Sequence, residues 1–91
     1  MKFTGSLLKE DIKGTETTFA VVVVNQKVIG NRDEASKTAF NFQTIFPGVP
    51  IVLMAQDHNG TPVYVGRPDL VWFLADVPLR RIPWKEYTFK G

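Results

Sequence analysis

Two short runs of unbroken apolar residues constrain this chain more than any other feature. Thr17–Val24 (TTFAVVVV) and Pro50–Gln56 (PIVLMAQ) are short for helices and too continuous for strands with one wet face. Valine is stiff at χ1 and packs well on a pleated surface, so the first run predicts a strand buried on both sides. The second predicts its partner.

The segments around them read in order. Val28-Ile29 continues the first strand or returns as a short hairpin arm. Asn31 followed by Glu34 has the pattern of a capping box, with Asp33 adding negative charge to the first turn. A helix is predicted over Arg32–Phe46, because Ala35, Ala39, Phe42 and Phe46 recur on one helical face until Pro47-Gly48 stops it. Asp57-His58-Asn59-Gly60 predicts a type I′ reversal joining Ile51–Gln56 to Pro62–Gly66. A second helix starts at Pro68, buries Leu70, Phe73, Leu74 and Val77, and ends before Pro78. Trp84–Phe89 alternates as a last strand, with Trp84, Glu86 and Thr88 on one side and Lys85, Tyr87 and Phe89 on the other. Residues 1–16, with Phe3, Leu7, Leu8 and Ile12 scattered among polar groups, form either a covering arm or an extra strand.

Ninety-one residues suffice for one domain, 1–91, and two would leave neither half a core. The expected fold is α+β: a two-layer sandwich of an antiparallel sheet with two helices on one face. The βαββαβ order after the N-terminal arm is that of a ferredoxin-like split βαβ domain. A weak internal echo supports two halves, since Gly30, Asp33 and Ala39 recur as Gly66, Asp69 and Ala75. This arrangement leaves the reverse face of the sheet needing a cover, which is residues 1–16, a second copy of the chain or another protein.

Composition excludes more chemistry than it suggests. With no cysteine there is no disulfide, thiolate metal site or cysteine nucleophile. No apolar run approaches the ~20 residues of a membrane span, so a cytoplasmic protein without membrane contact is expected. His58 stands alone between Asp57 and Asn59, where turn formation is the simpler reading than metal binding. Ser6 and Ser36 lack a histidine base and a nucleophile elbow. No catalytic residue, cofactor or metal site is therefore nominated. Arg32 and Arg67 stand beside helix starts, where free N–H groups can hold an anion, although Asp33 and Asp69 already supply negative charge there.

Two surfaces remain. Trp72 lies off the buried stripe of its helix, toward Asp69 and Asp76, and exposed tryptophan is a frequent interface anchor. The alternative is that it packs on the linker prolines Pro78 and Pro83. The C-terminal segment interleaves Arg80, Arg81, Lys85 and Lys90 with Trp84 and Tyr87. Four cations against Glu86 give it a local charge of +3, while the whole chain carries +2. Such a mixture neutralises phosphates and stacks bases. The leading expectation is a non-catalytic protein-interaction or oligomerisation module, with a protein partner or a homodimer. The alternative is weak, sequence-tolerant nucleic-acid binding through residues 79–90.

Overall fold

The computed structural model describes residues 1–90; Gly91, the last residue of the expected domain, lies outside the described residues. The architecture is a five-stranded mixed sheet with helices on both faces. Its strands are β1 (Lys2–Ile12), β2 (Thr15–Val23), β3 (Ile51–Gln56), β4 (Pro62–Val65) and β5 (Lys85–Thr88), in the spatial order β4-β3-β2-β1-β5. The helices are α1 (Gln26–Ile29), α2 (Arg32–Gln43) and α3 (Pro68–Ala75), with a 3-10 turn at Leu79–Arg81. No helix among the described residues is long and apolar enough to cross a membrane.

The N-terminal segment is a strand, not an arm. Lys13 and Gly14 both have positive φ (52° and 83°), the backbone of a two-residue type I′ turn whose twist suits a hairpin. The Gly14 N–H donates to Asp11 Oδ1 at 2.8 Å and closes it. Strand β1 then pairs antiparallel with β2 from Ile12↔Thr15 to Gly5↔Val22. Its other edge takes β5 over Lys2–Gly5.

The sheet is mixed where an antiparallel one was expected. Strands β2 and β3 are joined through α1 and α2, a crossover that returns the chain parallel to its starting strand, with Ala20↔Ile51 and Val23↔Met54 in register. The remaining pairings are antiparallel, including the expected β3–β4 hairpin. Its turn differs from type I′ because Asn59 does not adopt positive φ; Gly60 alone does, at 82°. The Asp57 carboxylate instead accepts from Asn59 N (2.8 Å) and Thr61 N (2.9 Å), giving a three-residue loop closed by the side chain.

The two long helices lie on opposite faces, against the expectation of one shared face. On β2, Phe19 and Val21 join a cluster with Leu70 and Leu74 of α3, together with Leu8, Ile12, Val52 and Met54. Their neighbours Ala20 and Val22 join Ala35 and Phe42 of α2, with Phe3, Ile51 and Leu53. Successive strand residues point to opposite faces, so the two clusters sit on the two sides of one sheet. The chain leaves β4 at one edge and must reach β5 at the other. With α1 and α2 over one face, α3 makes that crossing over the other. Four consecutive apolar residues of β2, Phe19–Val22, are thereby completely buried, and no bare reverse face remains for an arm or a second copy to cover.

The local predictions for α2 hold at its start and fall short at its end. Asn31 Oδ1 accepts from Glu34 N at 3.1 Å, the forward half of a capping box. The Asn31 N–H donates to Val28 O, so the reciprocal half is absent. Regular helix stops at Gln43, and Phe46 packs on the Phe3 and Tyr87 rings from the following turn. Val28-Ile29 is helical, capped by Asn25 Oδ1 accepting from Lys27 N, so the internal echo does not mark equivalent strand ends.

Candidate functional site

Helix α3 is buried on one side and bare on the other. Leu70 and Leu74 are buried and Phe73 is half-buried, its ring meeting Phe19 edge-on at 6.3 Å. Trp72, between them in sequence, is 78 % exposed. It does not pack on Pro78 and Pro83. At 100° per residue Trp72 points away from the Leu70/Leu74 stripe of α3 and into solvent.

The surroundings of the indole are defined. Asp69 and Asp76, three residues before and four after, flank it along the helix. The β1–β2 hairpin brings Asp11 and Lys13 to the same place, and shallow hollows border the ring, one lined by Lys13, Pro68 and Asp69, another by Val71, Ala75 and Asp76. Trp72, Asp69 and Asp76 line one hollow. Asp11 and Lys13 belong to it and were not nominated, because their approach depends on tertiary structure alone.

Asp69 is held by its neighbour. The Arg67 guanidinium donates from Nε to Oδ1 (2.8 Å) and from Nη2 to Oδ2 (2.7 Å), a bidentate pair. Those hydrogen bonds, reinforced by the Arg67 charge and by Leu70 N donating to Oδ1, hold the Asp69 carboxyl down to about 2. Arg67 is thereby committed to a carboxylate of its own chain. Asp11 and Asp76 have no salt-bridge partner among the described residues.

The C-terminal residues are dispersed. Arg80 and Arg81 are exposed on the 3-10 turn. Trp84 is half-buried against the α3-side core and donates from Nε1 to Leu79 O at 3.0 Å. Tyr87 faces the opposite side of the sheet, stacked on Phe3 with ring centres 5.1 Å apart and planes 10° from parallel. Lys85 Nζ lies 5.8 Å from the Tyr87 ring centre. The strand's period of two sends the two aromatics to different faces, where both serve packing.

His58 is exposed in the β3–β4 loop, where the adjacent Asp57 carboxylate is already engaged by backbone N–H groups. Among the described residues no three histidine or acidic side chains gather where they could hold a metal ion. Comparison with known proteins gives the chain no relative: no protein family, no curated protein and no solved structure matches it.

Proposed function

We propose that this chain is a non-catalytic interaction module that engages a protein partner through the outer surface of α3, with Trp72 as the anchor. One observation carries the reading. A tryptophan stands 78 % exposed on a helix whose other large apolar residues are all at least half-buried. Burying an indole releases far more apolar surface from water than any contact of Arg80 or Lys85. The chemistry of the partner follows from the rim. With Asp69 and Arg67 paired to each other, Asp11 and Asp76 remain beside the ring against Lys13. The fitting occupant is a protein segment that carries arginine or lysine beside an apolar side chain, its ammonium or guanidinium held between the indole face and the Asp76 carboxylate.

Nucleic-acid binding through residues 79–90 is the less favoured reading, because Trp84 and Tyr87 share no face with each other.

Peptides displayed in a random library and selected on the intact chain test the proposal. Enriched sequences should pair a basic residue with an aliphatic or aromatic one. They should lose about thirtyfold or more in affinity on Trp72→Ala, the scale of an anchoring tryptophan, and a smaller factor on Asp76→Asn. Selected peptides that bind Trp72→Ala as well as the parent would overturn it. A parent dimer that Trp72→Ala converts to monomer would make a second copy the occupant and overturn the stated chemistry.

A further inference from the structure

On the other side of the sheet, away from Trp72, a half-open hollow of about 470 Å³ lies between α2 and the β3–β4 hairpin. That volume falls in the range of small-molecule sites, roughly 300–1,000 Å³. Its origin is legible in the residues. Helix α2 turns Arg32, Ala35, Ser36 and Ala39 toward it, positions i, i+3, i+4 and i+7 of one helical face. The two alanines fall short of the strands where larger side chains would have met them. The floor is apolar, made by Ile51, Leu53 and Val65, and at Gly66 it has no side chain at all.

Among the described residues, Arg32 is the only ionisable one in the lining. It is exposed and makes neither an ion pair nor a side-chain hydrogen bond among the described residues. Asp33 and Glu34 are turned 100° and 200° around the helix from it and do not line the hollow. Arg67, its counterpart at the start of α3, already grips Asp69. One guanidinium fork is therefore unpaired at the mouth of an apolar hollow, with the Ser36 hydroxyl one turn further along the same face. A planar carboxylate matches that fork with two parallel hydrogen bonds.

We propose that this hollow binds a small organic carboxylate, its apolar body on Ile29, Ile51 and Val65 and its carboxylate on the Arg32 guanidinium. The site is independent of the α3 surface. Arg32 sets the charge preference, and the apolar floor supplies the remaining affinity.

1-Naphthoate and its neutral analogue 1-naphthamide, titrated into the intact chain and followed by amide chemical shifts, test the site. Naphthoate should give saturable shifts confined to residues 29–39, 51–53 and 65–66, and should bind about five- to tenfold tighter than naphthamide, the modest value of a half-exposed charge-assisted pair. Arg32→Gln should erase that difference while leaving naphthamide unchanged. Ala39→Leu, which fills the hollow, should weaken both probes, and the same spectra report that each variant is folded. Equal affinities for the two probes, a charge preference that survives Arg32→Gln, or shifts centred on Trp72 or on the exposed Phe40 would overturn the proposal.

Discussion

Leu70→Ala tests whether α3 closes the second face of the sheet. Leu70 is 0 % exposed and packs in the cluster with Phe19, Val21 and Val52. Truncating a fully buried leucine costs the transfer energy of the lost atoms plus the cavity left behind, about 3 kcal/mol within a range of 2–5. For a domain of this size each kcal/mol is worth roughly 4–8 °C, so Tm should fall by about 12–24 °C. Against a total stability on the order of 5–10 kcal/mol the variant should still fold at room temperature. Guanidinium unfolding followed by circular dichroism should show a lower midpoint with an unchanged slope, since the surface exposed on unfolding stays the same. Trp72→Ala, two residues away on the bare side, is the internal control and should change stability by no more than about 0.5 kcal/mol. A cost below about 1 kcal/mol at Leu70, or above about 2 kcal/mol at Trp72, would mean that the helix is rotated and the reasoning wrong.

Neighbouring positions of β1 should respond in opposite ways. A Cβ added at Gly5 would stand 2.8 Å from the Val21 carbonyl oxygen, so Gly5→Ala should cost about 1–3 kcal/mol by crowding, measured by the same unfolding curves. Ser6 buries a hydroxyl with no hydrogen-bond partner among the described residues, so Ser6→Ala should be neutral or stabilising by up to about 1 kcal/mol; a loss of more than that would reveal a hidden partner. The Asp69 carboxyl, lowered to about 2 by Arg67, contributes stability that is fully present above its ordinary titration range near pH 4 and is lost as pH falls toward 2. Asp69→Asn should remove that component of the acid limb, and a superimposable acid limb in the two proteins would refute it.

The strand and helix positions were largely legible, and their arrangement was not. Continuous apolar runs correctly implied that β2 and β3 are buried on both faces. Which helix covers which face depends on register, since Val21 and Val22 look alike and differ only in parity. Strand β1 was ambiguous because its buried positions include Gly5 and Ser6, small residues where an inward-facing strand ordinarily shows large apolar ones. The Lys13-Gly14 turn that converts it into a hairpin carries a weaker signal than Asn-Gly, although the latter, at Asn59-Gly60, formed a different loop once Asp57 supplied its carboxylate. Trp72 was visible as a residue off its helical stripe, whereas Asp11 and Lys13 reach it only through the fold. For Trp84 and Tyr87 the alternation already placed the two rings on opposite sides, and grouping them as one surface set that period aside.

Nuclear Overhauser contacts between aromatic rings and β2 side chains measure the opposed helices directly. With α3 on one face and α2 on the other, Phe73 should show contacts to Phe19, and Phe42 should show contacts to Phe3, whose ring centre is 4.9 Å away. Leu70 and Leu74 should then see Val21, and Phe42 should see the Val22 side of the strand. Contacts from both Phe42 and Phe73 to the same β2 residues would put the two helices on one face and contradict the account.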